Sequence, residues 1–186
     1  MTMVIHTERT REEERVVAAL RGVFDASVMN FGSYNLLYAR NMVDQSTQPD
    51  DDAAPSAAGP GEAEVSVQEA VARAAGLLIG YRREPVELVL CPVDTDQVLD
   101  RLGEYDDAVA IAEVPALLNL TNLAGMATDE SSVEILFSTG RRLTLRVDPV
   151  VQFPQVPGLS VRQHLDVEDF YDFLDHFMDQ VEQTQP

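Results

Sequence analysis

The sequence predicts an α+β fold in which an antiparallel sheet is covered by helices from both ends of the chain. Apolar and polar residues alternate on either side of Ser138–Arg142, which is typical of a β-hairpin. Amphipathic helical patterns occupy Thr10–Asp25 and Val167–Val181. We therefore expect a single domain over residues 1–186, with about five strands and the two terminal helices packed on them.

The first helix and strand have clear local signals. Thr10 and Glu13 have the spacing of a capping box at the start of the helix. A strand is predicted over Phe31–Arg40, since its alternating aromatic and apolar residues would share one face of a sheet.

Composition changes sharply over residues 44–64, which hold almost no large apolar side chain. Such a segment cannot bury enough apolar surface to offset its ordering entropy, so we predict a disordered insertion. Ser66 and Glu69 then form a second capping-box pattern, which predicts a short helix over Val65–Ala75.

The middle of the chain predicts a second hairpin, from Leu77–Arg83 and Val86–Val93. Apolar residues on both faces place these strands centrally in the sheet. A short helix is expected over Thr95–Leu102, capped by Thr95 or Asp96. The apolar run that follows has no decisive period, and we predict a helix over Pro115–Ala124 because proline is favoured at the first helical position.

The last third contains the hairpin Ser132–Val147, an extended proline-rich segment over Pro149–Pro157 and the final helix, with Asp166 as its cap. That helix carries a broad apolar stripe, and part of it could face a partner chain rather than the sheet. The residues proposed for such a contact are Phe170, Phe173 and Phe177.

In its order of elements, this layout resembles the secretion-chaperone-like α+β domains, which are small, acidic and act by binding other polypeptides. The alternative layout is a pleckstrin-homology-like barrel closed by the C-terminal helix. The barrel would require Ala108–Leu120 to form a strand.

Charge is the outlying property of the composition. The 186 residues include 32 acidic and 13 basic ones, for a formal net charge of −19, and every basic residue is arginine. Such a charge repels nucleic acid and anionic lipid and favours basic partners.

Arginines near the two hairpin turns form the candidate anion site. If the turns lay at one end of the sheet, the arginines could bind a phosphate, a phospholipid headgroup or an acidic peptide through charge-assisted hydrogen bonds. Alternatively, they pair with the surplus carboxylates of the protein. The residues concerned are Arg40, Arg82, Arg83, Arg141 and Arg142.

Several classes of chemistry are excluded or disfavoured. The absence of lysine excludes a P-loop and Schiff-base catalysis, and neither G-x-S-x-G nor G-x-G-x-x-G occurs. The three histidines lack the usual spacing of zinc ligands. Cys91, the single cysteine, lies in a predicted strand and suits a core position. We predict no cofactor and no metal.

These observations together predict a non-enzymatic protein-binding domain, such as an adaptor, a chaperone-like protein or a regulator. We expect it in the cytoplasm, because no segment has the features of a signal peptide or a membrane span. A homodimer is compatible with the open edges of an antiparallel sheet. The alternatives are anion binding at the arginine turns and an enzyme that uses carboxylates in a cleft.

Overall fold

A curled antiparallel sheet of six main strands organises the protein, with the N- and C-terminal helices packed on it. The computed structural model describes residues 9–28, 33–42, 60–103, 116–118 and 122–184. The predicted α+β class is confirmed, and the sheet has six main strands, with a short seventh at one edge, rather than about five.

The helices are α1 (Arg11–Val28), α2 (Pro60–Arg73), α3 (Thr95–Asp100), which continues into a 3-10 turn, and α4 (His164–Thr184). The strands are β1 (Asn35–Asn41), β2 (Gly76–Arg83), β3 (Val86–Val93), β4 (Ala116–Leu118), β5 (Leu123–Asp129), β6 (Ser132–Phe137), β7 (Arg142–Arg146), β8 (Val150–Gln152) and β9 (Ser160–Arg162).

The main strands lie in the order β3–β2–β1–β7–β6–β5, and the three-residue β4 adds to the outer edge of β3. Strands β8 and β9 form a separate two-stranded hairpin. Within the described part of the chain the sheet is open, with β4 and β5 at its two edges, so these residues do not form the barrel of the alternative layout.

Both faces of the sheet are covered. Helices α2 and α4 pack on one face, against apolar residues of β1, β2, β3, β5, β6 and β7. Helix α1, α3 and the β8–β9 hairpin pack on the other face. Strands β2 and β3 are buried on both sides, as the apolar character of their sequences predicts.

The start of α1 has the predicted capping box. The backbone N–H of Thr10 donates to the Glu13 carboxylate at 2.6 Å, and the Glu13 N–H donates to the Thr10 hydroxyl at 3.2 Å. The following strand begins at Asn35, and Phe31 and Gly32 lie outside the described residues.

Helix α2 begins earlier than the sequence pattern predicts. It starts at Pro60, so residues 60–64 of the predicted insertion are helical, while residues 44–59 lie outside the described part. Ser66 is therefore inside the helix and is not its N-cap. Proline at the first helical position, followed by Glu62, Ala63 and Glu64, explains the earlier start.

The predicted helix over Pro115–Ala124 is wrong. Ala116–Leu118 forms β4 and Leu123 begins β5, while residues 104–115 and 119–121 lie outside the described part. Strands β4 and β5 pair with β3 and β6, respectively. Pairing with distant strands overrides the local preference here.

Three smaller boundaries also differ from prediction. Asp94 caps α3, because its carboxylate accepts the N–H groups of Asp96 and Gln97. Asp166 lies within the first turn of α4 rather than at its cap. The proline-rich segment after Pro149 contributes β8 to a hairpin that the sequence pattern does not reveal.

Glu13 joins α1 to the β8–β9 hairpin as well as capping its own helix. Its carboxylate accepts hydrogen bonds from the Arg162 guanidinium at 2.9 and 2.7 Å and from the Arg162 backbone N–H at 3.2 Å. Glu13 is buried, and the bonds from Arg162 and then from Thr10 hold its pKa at about 2, below its ordinary value of 4.5.

We predict that Glu13→Gln destabilises the fold by about 2 kcal/mol at pH 7, because charge-assisted bonds to a buried carboxylate are lost. The pKa of Glu13 is lowered on folding, so its contribution is present above pH 4.5 and is lost as the pH falls toward 2. Urea unfolding of both proteins at pH 7 and pH 2.5 measures this. The neighbouring exposed Glu14→Gln is the control, and an equal difference at both pH values would contradict the prediction.

The ring of Phe24 packs directly on the backbone of Gly80, at the contact between α1 and β2. A Cβ atom at residue 80 would overlap that ring, so only glycine allows this approach. The glycine thus sets how closely α1 lies on the sheet.

We predict that Gly80→Ala destabilises the protein by about 2 kcal/mol through overpacking against Phe24. Gly125→Ala is the control, since a Cβ there meets no atom within 4 Å. Combining Gly80→Ala with Phe24→Leu should cost less than the sum of the two single changes. Additive free energies in a double-mutant cycle would show that the ring does not cause the effect.

Candidate functional site

The five candidate arginines do not form one patch. Strand β1 runs antiparallel to β2, so Asn35 lies opposite Tyr81 and Arg40 lies opposite Gly76. The β2–β3 turn, next to Arg83, is therefore at the end of the sheet where β1 begins. The β6–β7 turn lies beyond the other end of β1, since Arg40 pairs with Arg146.

Antiparallel pairing thus separates Arg82 and Arg83 from the other three arginines. Each of the five has a carboxylate of this chain beside it. The pairs are Arg40 with Asp148, Arg82 with Glu87 at 2.5 Å, Arg83 with Asp169 at 2.9 Å, Arg141 with Glu69 at 3.0 Å and Arg142 with Glu134 at 3.2 Å. Anion binding at these turns stays a prediction, and any anion would compete with a carboxylate already in place.

Two of these carboxylates carry shifted pKa values. Burial opposes the ionisation of Asp148 and Asp169, but hydrogen bonds from arginines outweigh it and hold the pKa of each below its ordinary value. Asp169 also accepts a bond from the Tyr81 hydroxyl at 2.9 Å, and burial followed by this bond raises the pKa of Tyr81. The network joins the β2–β3 turn to α4.

The three phenylalanines proposed as a partner-facing stripe lie inside the protein. Phe170, Phe173 and Phe177 are 1%, 0% and 1% exposed and pack against the sheet. Tyr81 contacts the first two rings, with centroids 5.2 and 5.0 Å apart. No surface is available at these positions for a second chain, because the helix uses this stripe to cover its own sheet.

The sheet has a gap between β1 and β7. These strands share only the register pairs Arg40–Arg146 and Asn41–Leu145, whereas β2 and β3 are paired along eight positions. The side chain of Gln163, between β9 and α4, enters the gap. Its Oε1 accepts the Tyr38 N–H at 3.0 Å, and its Nε2 donates to the carbonyls of Tyr38 and Asp148, both at 2.8 Å.

A cavity of about 190 Å³ lies beside this gap. Helix α1, β1, β2 and the β8–β9 hairpin supply an apolar lining on the α1 side of the sheet. The lining residues of this side are Val17, Leu20, Leu36, Tyr38, Leu78, Val151, Phe153 and Val161. Leu37, whose side chain belongs to the core on the other face, also borders the cavity.

The polar lining of the cavity comes from α1, β1, the residues before α1 and the start of α4. Arg9 bonds to the Asp166 carboxylate at 2.8 Å and to the Arg162 carbonyl at 3.1 Å. Arg21 donates twice to the Tyr34 carbonyl at 3.3 Å. Asn35 and Gln163 complete the set. The apolar surface of the cavity therefore lies next to hydrogen-bond donors whose positions are fixed by their bonds to the protein.

The described residues bring few titratable groups to the cavity. Asp166 is the one carboxylate among the lining residues, and it is already bonded to Arg9. Across the described residues, no group of three or more His, Cys, Asp or Glu side chains is placed to hold a metal ion. Cys91 is fully buried in the α1-side core, as its sequence context predicts.

The lining residues were not predicted from the sequence. Gln163 is the informative one, because it is a polar residue that is 5% exposed. Its sequence signal is weak, since glutamine between Arg162 and His164 reads as an ordinary loop residue. Its partners come from the tertiary positions of β1 and of Asp148.

No protein-family model, curated protein or solved structure matches this chain. None of the helices in the described ranges is both long and apolar enough to cross a membrane.

We predict that Gln163→Leu destabilises the protein by about 3 kcal/mol, because it leaves buried main-chain groups of Tyr38 without partners. Gln163→Glu should also destabilise it, since a carboxylate cannot donate to the carbonyls of Tyr38 and Asp148. Chemical unfolding measures both changes against Gln152→Leu, an exposed glutamine of β8. Wild-type stability of the leucine variant would show that the amide is dispensable.

Proposed function

We propose that this protein binds a polypeptide partner without catalysing a reaction on it, and that one apolar side chain of the partner enters the cavity. The cavity is the observation that supports this proposal. Its volume of about 190 Å³ is below the roughly 300–1,000 Å³ of common small-molecule sites. It is close to the roughly 150 Å³ of an apolar cavity that holds one benzene ring, which is the scale of one anchoring side chain.

The charge of the protein supports a basic partner. Exposed carboxylates lie on both sides of the sheet, Glu12 and Glu14 on α1 and Glu168 and Asp172 on α4. Against a net charge of −19, a segment rich in Lys or Arg would be attracted at long range. Electrostatics would therefore govern the rate of association, and the apolar anchor would govern its lifetime.

We place this function in the cytoplasm, where proteins are usually free of disulfides. The chain has one cysteine and cannot form an intramolecular disulfide. An adaptor, a chaperone-like protein and a regulator would all use such a site, and the identity of the partner decides among them.

The test is selection of peptides from a random library displayed on phage against the immobilised full chain. Val17→Phe is the informative variant, because Val17 is half-buried and lines the cavity, so a larger side chain there would fill the cavity. Val23→Phe is the matched control, because Val23 is half-buried on the same helix and outside the cavity lining.

We expect selected peptides to share an apolar residue and basic neighbours. They should bind Val17→Phe at least about tenfold more weakly, a difference of roughly 1.4 kcal/mol, while Val23→Phe retains wild-type affinity. Fluorescence anisotropy with labelled peptides measures both affinities. Equal binding to the two variants, or no selection above background, would overturn the proposal.

A further inference from the structure

We propose that the partner is bound as an extended segment, one residue of which pairs its main chain with that of Leu36 inside the gap of the sheet. This binding mode rests on the function proposed above and specifies how the partner is held. It is inferred from the direction of the backbone groups along β1.

Alternate residues of a strand direct their N–H and C=O groups to opposite sides. The N–H groups of Tyr38 and Met42 bond to Gln163 and to the Thr144 carbonyl, both on the side of the gap and β7. The N–H of Asn41 bonds to the Ala75 carbonyl on the opposite side. By this alternation, the N–H and C=O of Leu36 also face the gap.

The position of Leu36 is bracketed by two side chains that bond to its neighbours. The amide of Gln163 bonds to the N–H and the carbonyl of Tyr38, and the guanidinium of Arg21 donates to the Tyr34 carbonyl. Among the described residues, no group bonds to Leu36 on the gap side. As far as the described ranges go, the N–H and C=O of the half-buried Leu36 are thus available together beside the cavity.

A peptide residue in extended conformation is the chemical complement of this position. It offers one N–H and one C=O to the same side, and Gln163 makes the same pair of bonds to Tyr38 through its amide. A carboxylate or phosphate would accept from the Leu36 N–H but could not donate to its carbonyl.

Side-chain direction links the pairing to the cavity. Residues directly opposite each other in a sheet project to the same face. The Leu36 side chain packs with the α1-side core, and the cavity lies on that same side. The side chain of the paired residue would therefore point into the cavity, and the net charge of −19 on the chain favours a segment that also carries basic residues.

The test takes a peptide selected on the wild-type chain and compares its affinity for the Leu36→Pro and Leu36→Val variants. Proline at residue 36 removes an N–H that faces the gap, so no bond of the β1–β2 ladder is lost. Leu36→Val retains the main-chain N–H and has a side chain of similar size. We expect the proline variant to bind the peptide at least tenfold more weakly than the valine variant.

Amide hydrogen exchange of the wild-type chain keeps the proposal testable if the proline variant does not fold. Saturating peptide should slow exchange of the Leu36 amide at least tenfold, with little change at Asn41. N-methylation of the peptide residue that pairs with Leu36, found by methylating each position in turn, should weaken binding at least tenfold and remove the protection.

The outcomes separate this proposal from the more general one. If Val17→Phe weakens binding but the peptide leaves Leu36 exchange unchanged, the cavity binds an anchor without main-chain pairing, and this inference is overturned alone. If the Leu36 amide is already protected without peptide, another part of the chain fills the gap, and the inference is also overturned. If no peptide binds, both proposals are lost.

Discussion

The hydrogen bonds between Gln163 and the main chain of Tyr38 are the constraint on which the site depends. Strand β1 is central in the sheet, yet it pairs with β7 at only two positions, so its buried main chain needs another partner. The amide of Gln163 supplies a donor and an acceptor, as a neighbouring strand would. Because the same amide bonds to the Asp148 carbonyl, it also fixes the segments on either side of the β8–β9 hairpin. Gln163 therefore connects the gap, the β8–β9 hairpin and the cavity.

The few arginines explain how so acidic a chain holds its outer elements in place. Arg162 joins the β8–β9 hairpin to α1 through Glu13, and Arg83 joins the β2–β3 turn to α4 through Asp169. The planar guanidinium can bond to a carboxylate through two N–H groups, a geometry that the ammonium group of lysine cannot match. These arginines consequently act as internal counter-ions at the junctions between elements, which leaves the outer surface negative.

Local signals predicted much of the fold. The capping box of Thr10 and Glu13, the alternation across Ser132–Val147 and the helical stripe ending near Val181 depend on neighbours in sequence, and each was found at the expected place. The elements missed by prediction depend on distant partners. Strand β4 exists by pairing with β3, and Gln163 matters because β1 passes beside it. The cavity could not be predicted, because its lining comes from four separate parts of the chain and has no shared motif.

A gap inside a sheet offers a different kind of recognition from an open edge. An exposed edge strand presents a row of donors and acceptors and can pair with almost any extended chain, including another copy of the same protein. At Leu36 the opening is one residue long, because Arg21 and Gln163 occupy the groups on either side. Main-chain pairing over one residue contributes little affinity by itself, so selectivity would come from the side chain that fills the cavity and from the charge around it. Because Arg21 and Gln163 close the opening on both sides, the protein would not pair with extended chains in general. One position stays open for a segment whose side chain fits the cavity.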